Sequence, residues 1–293
     1  MGPQVIVDKT DGFAPTAGFC VQPTIGDTSV LGPIYLAYVE FSSGNFFFME
    51  GNLTFGPTLT GWEFDHLEDP GANFIEVDPN GTGNMPEKVP GPFRMLRVPQ
   101  LVADPSDANR LYLLYHDLAP ASSVDVDVFC ITLTRSNVCS TTTNCWELGD
   151  PVRVNDDLVV PGGDDKDQVL PAAVVDGQGR LHVVYYDDRR YQQVDGNDPT
   201  GINFDVFYAV SLDGGTTFTN VRLVTFPDEP VLQCEKTRAP PGSDKHNPGE
   251  YPGIACDGDD IWIAYSGTLS RKRTASGGDA PDKSVIYMSR VQF

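Results

Sequence analysis

The sequence lacks several features that would point to familiar protein classes. It has no apolar run approaching the roughly 18 residues that a helix needs to cross a bilayer, so we expect no membrane insertion. Long windows with apolar residues at i, i+3, i+4 and i+7 are also missing, which argues against amphipathic helices. Only four histidines occur, and none of the six cysteines forms a C-x-x-C pair, so zinc sites have little support.

Positive charge is scarce as well. The sequence has 20 Lys and Arg and 41 Asp and Glu, which gives a formal charge of −21. A field of this sign repels phosphate backbones and anionic lipids, so we expect no nucleic-acid partner.

What the chain does contain is typical of β-structure. Many runs of five to eight residues are rich in Val, Ile, Tyr and Phe and are bounded by Asp, Gly, Asn and Pro. The 29 Gly and 24 Pro among 293 residues suit frequent tight turns. The predicted fold class is therefore all-β, in one domain over 1–293.

An internal repeat sets the predicted architecture. Segments 98–117, 170–188 and 251–267 align with one another, and 22–40 is a weaker fourth copy. Each copy reads as two strands, and a third strand follows each of them. A fourth strand follows in three copies, as "GWEFDHL", "DPVRVND" and "NVRLVTF". Repeats of four antiparallel strands, at about 40–80 residues each, are typical of β-propeller blades, with a string of sandwich hairpins as the alternative.

We therefore predict a propeller of four blades. The fourth repeat ends after its third strand, and "PQVIVDKTDG" near the N-terminus resembles the missing outermost strand. Residues 1–9 would close the ring as the last strand of the last blade, because an unpaired edge strand is an aggregation risk. The expected blades are 17–75, 93–156, 167–226 and 249–293. Trp62, Trp146 and Trp262 fall in strand-like runs and are expected to be packed in the interior.

The octapeptide "SLDGGTTF", 211–218, lies between the third and fourth strands of the third repeat. It resembles the Asp-box, S-x-D-x-G-x-T-[FW], of sialidase-like and BNR-repeat propellers. The resemblance implies a hairpin turn in which the Asp holds backbone amides and the aromatic residue packs between strands. It also brings an alternative fold, part of a six-bladed sialidase-like propeller. The structural Asp-box residues are Ser211, Asp213, Gly215, Thr217 and Phe218.

Strand order predicts two unlike faces. Short turns and the Asp-box share one face, whereas long loops, among them 66–96, 155–168, 187–203, 226–250 and 267–283, share the other. Binding and catalysis concentrate on long loops carried by a rigid scaffold, so we expect any site on the long-loop face.

The sialidase resemblance implies an Arg clamp on a substrate carboxylate, an Asp acid/base and a Tyr–Glu nucleophile pair. "LRVP" places Arg97 on the first clamp position. The implied catalytic set is Arg97, Asp117, Arg189, Glu250 and Tyr251. The candidate ligand-binding residues are Arg190, Tyr191 and Arg238, of which Arg238 is also a candidate for the third clamp position.

Two further expectations concern metal and disulfides. No cofactor is required, but the acidic loop 155–168 is a candidate calcium site, with a solvated acidic loop as the alternative. Its candidate ligands are Asp156, Asp157, Asp164, Asp165 and Asp167. An even cysteine count favours disulfides and an oxidising compartment. We pair Cys139 with Cys145 across the second repeat's turn, and Cys20 with Cys234 as a second pair.

The expected function is a non-catalytic binding or assembly module, secreted or at the cell surface, whether extracellular or periplasmic. Its partner would be a glycan or an extracellular protein, and a homo-oligomer or larger assembly is open. The alternative is a sialidase-like glycoside hydrolase.

Overall fold

The computed structural model is all-β where it describes the chain. The described residues are 24–25, 34–39, 46–51, 53–54, 63–64, 74–77, 99–118, 126–136, 146–157, 166–190, 203–223, 231–233, 252–269 and 283–292. Nineteen strands and no helix occur among them, so no helix of membrane-spanning length is found there.

Within the described residues the strands form four main antiparallel sheets, here called sheets I to IV, and the number of blades stays a prediction. Sheet I and a small ribbon contain β1 (Thr24–Ile25), β2 (Ile34–Val39), β3 (Phe46–Gly51), β4 (Leu53–Thr54), β5 (Glu63–Phe64) and β6 (Phe74–Val77). Sheet II contains β7 (Gln100–Ala103), β8 (Arg110–Leu118), β9 (Val126–Arg135), β10 (Trp146–Leu148) and β11 (Val152–Arg153). Sheet III contains β12 (Gln168–Val175), β13 (Leu181–Asp187), β14 (Asn203–Ser211), β15 (Thr219–Leu223) and β16 (Leu232–Gln233). Sheet IV contains β17 (Gly253–Asp257), β18 (Asp260–Leu269) and β19 (Lys283–Gln292).

Two of the predicted outermost strands need correction. In sheet I the segment "GWEFDHL" contributes β5, which pairs with β4 in the ribbon, and β6 takes the place beside β3. The β-branched Ile75 and Val77 and the aromatic Phe74 of "FIEV" suit that place, although this segment was expected to be loop. In sheet II the outermost strand is split into β10 and β11 around Pro151, which has no N–H to donate to the ladder.

Apolar cores fill the spaces between consecutive sheets. Successive side chains of a strand point to opposite faces, and sheet II uses both of them. Leu111, Leu113 and Tyr115 pack in the core shared with sheet I, whereas Tyr112 and Leu114 pack in the core shared with sheet III. A third core joins sheet III to sheet IV through Val184, Tyr186, Phe204, Ile261, Ile263 and Tyr265.

The first strands of successive sheets contact one another. Strand β12 packs against β7 and β17, and β7 packs against β1. Sheets stacked face to face with their first strands in contact are consistent with a propeller-like fold.

Sheet IV differs from sheets II and III because one of its faces is open. Ile286 and Met288 are each 69% exposed, and Trp262 is 40% exposed beneath the Arg290 guanidinium. Of the predicted interior tryptophans, Trp146 is buried, but the prediction for Trp262 is wrong because its side chain lies on this open face. Trp62 lies outside the described residues.

Candidate functional site

Buried aspartates collect at the long-loop ends of sheets II and III. Asp117 and Asp127 are opposite each other on β8 and β9, and Asp187 and Asp205 are opposite each other on β13 and β14. All four are at most 1% exposed. Burying a carboxylate is costly unless it is paired, so the partners of these groups define the site. We call the following residues the carboxylate network: Asp117, Asp127, Arg153, Asp156, Asp157, Asp167, Asp187, Asp188, Arg189, Arg190, Asp205 and Arg222.

Arg189 connects several members of the network. Its Nε donates to Asp187 Oδ2 at 2.8 Å and its backbone N–H donates to Asp187 Oδ1 at 2.8 Å. Its Nη1 donates to Asp156 Oδ1 at 2.6 Å. The guanidinium also lies over the ring of Phe207. An arginine held on two sides by carboxylates and below by an aromatic ring has a fixed orientation.

In both members of the Asp187–Arg189 pair, burial and the interaction with the partner shift the pKa in opposite directions. Burial raises the pKa of the Asp187 carboxyl to about 6, although the hydrogen bonds from Arg189 act to lower it. Burial alone would lower the pKa of Arg189, but its bond to Asp187 raises it. Asp187 can therefore change charge near pH 6 while Arg189 stays a cation.

Asp205 is shared by two arginines. Arg190 Nη1 donates to Asp205 Oδ2 at 2.9 Å, and Arg222 Nε lies 3.0 Å from the same oxygen. The candidate ligand-binding residue Arg190 is thus part of a structural ion pair at the long-loop end of sheet III.

Asn155 connects the start of β9 to the loop after β11. Its Nδ2 donates to Asp127 Oδ1 and to Asp157 Oδ1, both at 2.6 Å, and its Oδ1 accepts from Val128 N at 2.9 Å. Arg153 Nη2 lies 2.8 Å from Asp127 Oδ1. Burial raises the pKa of Asp127, while Asn155 and Arg153 act to lower it. Charge and hydrogen bonding thus tie this loop to sheet II.

The backbone of β12 is irregular beside the network. Leu170 has a φ of 54°, a value that is uncommon for a residue other than glycine, and the register with β13 shifts between Val169 and Ala172. His116 Nδ1 accepts from Leu170 N at 3.4 Å, and Asp167 Oδ1 accepts from Val126 N at 3.3 Å. Such strain concentrates at functional sites.

The structure describes part of the predicted site. Asp117 is fully buried, and Arg189 and Arg190 lie in the network, where the sequence placed them on the same face. Five of the predicted residues lie outside the described residues: Arg97, Tyr191, Arg238, Glu250 and Tyr251.

The predicted calcium ligands are only partly described. Asp156 and Asp157 are paired with arginines, and Asp167 accepts a backbone hydrogen bond, whereas Asp164 and Asp165 lie outside the described residues. No group of three or more His, Cys, Asp or Glu suited to a metal is found in the described part of the chain. Calcium binding stays a prediction.

Some members of the network escaped the sequence-based prediction. Asp127 and Asp205 lie near the start of the third strands of their sheets, and each is followed by Val and Phe. This repeated "DVF" could have identified both. Arg153 and Arg222 carry no such signal, because the aspartates Asp127 and Asp205 with which they pair lie on other strands.

The Asp213 turn lies on the opposite, short-turn face. Asp213 Oδ1 accepts from the backbone N–H groups of Thr216 at 3.2 Å and Thr217 at 2.9 Å, and Asp213 Oδ2 accepts from Thr217 Oγ1 at 2.6 Å. Ser211 Oγ accepts from Gly215 N at 2.8 Å. The bonds from Thr217, followed by those from Ser211 and Thr216, lower the pKa of Asp213 to about 2. These bonds hold a turn together, and Phe218 packs against the core between sheets II and III.

The predicted disulfides are not described. Cys139, Cys145, Cys20 and Cys234 lie outside the described residues, and within those residues Cys130 and Cys256 carry free thiols.

Comparison with known proteins finds no matching family model and no matching curated protein. Solved structures do match. Two levansucrase mutants from B. megaterium are each 12% identical, with TM-scores of 0.41 and 0.40, and the match covers 89% of this chain and 62% of each of theirs. A levansucrase mutant from B. subtilis is 11% identical with a TM-score of 0.37, and 63% of its chain is covered. The chain thus spans less than two thirds of these structures. The sialidase-like assignment drawn from the Asp-box stays a resemblance.

Proposed function

We propose that the protein is a non-catalytic binding module that uses its long-loop face. The observation that carries this proposal is the pairing of Arg189 and Arg190 with aspartates of their own chain. Guanidinium groups held this way support the adjacent loops and are not free to clamp a substrate carboxylate. The network acts as a rigid base for those loops.

The charge of this face favours a neutral ligand. The carboxylate network holds eight aspartates and four arginines, so its formal charge is negative before any protonation of Asp187. A negative face repels a sialic-acid carboxylate and accepts the hydroxyl groups of neutral sugars without a charge penalty. We therefore favour a neutral glycan as the ligand, in an extracellular or periplasmic setting.

A glycan array with neutral and sialylated sugars tests this proposal. We expect binding to neutral glycans that Arg190→Ala weakens at least tenfold, because the adjacent loop loses its anchor. Arg110→Ala is the matched control, since Arg110 pairs with Asp104 and Asp107 on the opposite face. Equal losses in both variants, or binding confined to basic proteins, would contradict the proposal.

A sialidase-like glycoside hydrolase is the second candidate. It is favoured by Asp187, whose raised pKa would keep part of the population protonated near neutral pH, as a general acid requires. Turnover of an arylated sialoside, lost in Arg97→Ala, Asp117→Ala and Asp187→Asn, would establish it. We expect no turnover in the unaltered protein.

We also propose that the four sheets form a closed four-bladed ring. One observation supports this: in the described residues β19 pairs with β18 alone, which leaves an edge that another strand can cover. Residues 1–9 would supply that outermost strand of sheet IV.

A further inference from the structure

A chain of buried polar contacts begins at the turn between β12 and β13. Asp176 Oδ1 accepts from the backbone N–H groups of Gln178 and Arg180, both at 2.9 Å. Asp176 Oδ2 is shared by two side chains: Arg180 donates to it through Nε, and His182 Nε2 lies 3.1 Å away. His182 Nδ1 lies 2.6 Å from the hydroxyl of Tyr208. The ionised Asp176 fixes the neutral tautomer, with the proton on Nε2 and Nδ1 accepting from Tyr208.

This series of polar contacts ends on sheet IV. Arg180 Nη2 and Gln178 Nε2 each donate to Asp259 Oδ1 at 2.8 Å, and Asp259 lies in the turn between β17 and β18. The turn of sheet III is thereby bonded to the equivalent turn of sheet IV.

His182 is inaccessible while the two sheets are together. It is 0% exposed and shares a face of β13 with Val184 and Tyr186, which pack against sheet IV. The packing of sheet IV on this face of β13 therefore helps to keep solvent from the ring.

Sheet II has a related turn without the histidine. Asp104 accepts from Ser106 N at 2.9 Å and from the Tyr112 hydroxyl at 3.4 Å, and Arg110 Nη1 lies 3.6 Å from it. Tyr112 occupies the position of His182, two residues after the arginine. Burial raises the pKa of Tyr112 to about 12, so this turn has no group that gains charge in mild acid at that position. The turn of sheet II therefore serves as an internal control for the acid response of the turn of sheet III.

We propose that His182 is an acid-sensitive latch between sheets III and IV, which releases sheet IV when the ring is protonated. This function is independent of the proposed ligand binding on the opposite face.

Protonation opposes the closed arrangement in two ways. It converts Nδ1 from an acceptor to a donor and reverses the bond with Tyr208. It also places a second cation on the carboxylate oxygen that Arg180 already uses, so the two cations repel each other and compete for Asp176. This competition disturbs the position from which Arg180 donates to Asp259. The charged and titratable groups that His182 contacts or adjoins on sheet III are Asp176, Arg180 and Tyr208. Around the Asp176 turn lie Cys256, Asp257 and Asp259 of sheet IV and Asp104 of sheet II.

The direction of the His182 pKa agrees with this geometry. Burial lowers it below the ordinary value, against the raising effect of Asp176 and together with the lowering effect of Arg180. A group whose folded pKa is depressed stabilises the closed state above its ordinary pKa. That stabilisation is lost as the pH falls through the folded value. Burial alone would raise the pKa of Asp176, but its hydrogen bonds from Arg180, His182 and Gln178 lower it, so Asp176 remains ionised in mild acid.

Hydrogen–deuterium exchange tests the latch in the full chain between about pH 7.5 and about pH 4.5, a range that spans the ordinary histidine pKa of about 6.5. After correction for intrinsic rates, the opening constant of β17 and β18 should rise with acid, approaching about tenfold per pH unit for one linked proton. Strands β8 and β9 should show a smaller change. Unchanged protection of β17 and β18 over this range would overturn the latch.

Variants separate the latch from general acid sensitivity. His182→Gln should remove the acid-induced opening of sheet IV, and the same pH dependence in that variant would refute the proposal. Tyr208→Phe keeps the histidine but removes the hydroxyl that holds Nδ1, so the midpoint of opening should move to higher pH. Tyr112→Phe is the matched control in sheet II and should leave the midpoint unchanged. If His182→Gln does not fold, an unshifted midpoint in Tyr208→Phe is the refuting result.

Discussion

The guanidinium carbon of Arg189 lies 4.2 Å from the centroid of the Phe207 ring. Phe207 belongs to the apolar core between sheets II and III and stacks with Tyr185 at a centroid distance of 6.0 Å. Arg189 therefore joins the core to the carboxylate network: its flat face contacts the aromatic ring and its N–H groups contact carboxylates.

Replacing Arg189 with methionine should destabilise the protein strongly at neutral pH. The change removes the cation beside the buried Asp187, and breaking a buried pair typically costs about 3–5 kcal/mol. Because 19% of the Arg189 side chain is exposed, we expect the lower end of that range, about 3 kcal/mol. Urea denaturation at pH 7.5 measures it. Arg110→Met, at the more exposed pair with Asp104, should cost about 1 kcal/mol or less.

The cost of Arg189→Met should shrink in acid. The pKa of Asp187 is raised to about 6, so its protonated form contributes stability that is present below the ordinary value and is lost as the pH rises through about 6. Asp187→Asn should flatten this part of the pH profile and tolerate Arg189→Met better. An Arg189→Met penalty that is the same at acid and neutral pH would contradict this account.

Changing Asp213 to alanine should lower stability by about 1–2 kcal/mol, because the four hydrogen bonds that its carboxylate accepts within the turn are lost. The pKa of Asp213 is lowered to about 2, so its contribution is present above the ordinary aspartate value and disappears as the pH falls through about 2. Thermal unfolding at neutral pH measures the loss. Abolished ligand binding with an unchanged melting temperature would show that Asp213 is functional and not structural.

Gly215→Ala should destabilise the contact between sheets II and III. Gly215 has a φ of +83°, and an added Cβ would lie 3.0 Å from Thr132 Oγ1 and 3.3 Å from the Tyr112 ring. The strained backbone alone costs on the order of 1–3 kcal/mol. Gly177→Ala is the matched control, since nothing lies within 4 Å of its added Cβ and its φ is not positive. Equal melting temperatures for the two variants would rule out this packing.

Peptide mapping without reduction should find Cys139 joined to Cys145 and Cys20 joined to Cys234. Cys130 and Cys256 should carry free thiols, as they do in the described residues. Burial raises the pKa of both thiols, so alkylation of the native protein should be slow at these two positions. Free thiols at 139 and 145 would refute the first pair.

Deleting residues 1–9 should lower stability sharply if these residues complete sheet IV, because a whole ladder of hydrogen bonds along β19 is then lost. Hydrogen exchange at Val5 to Val7 should be slow in the unaltered protein. Ile6→Pro should reproduce part of the loss, because it removes one N–H from the ladder. Wild-type stability without these nine residues, or fast exchange at Val5 to Val7, would count against the closed ring.

The sequence alone determined the four sheets and most of their strands. Local patterns carry this information, since alternating apolar residues, turn residues and the repeated Asp-Gly turns act within one hairpin. The same locality explains the errors. Nothing near "GWEFDHL" says that it pairs with β4, or that "FIEV" takes the place beside β3. Likewise, the periodicity around Trp262 matches that of a buried strand although no neighbouring sheet covers its face in the described residues.

Only the tertiary structure decided which charges meet. The sequence placed Asp117, Arg189 and Arg190 on one face because strand order fixes the end of the sheet at which a strand finishes. It could not show that Arg189 reaches Asp156, 33 positions earlier, or that Arg180 reaches Asp259, 79 positions later. These partners come from loops and sheets whose relative positions depend on core packing. The pairing of charges is therefore a property of the assembled sheets, whereas the sheets themselves are specified by local sequence.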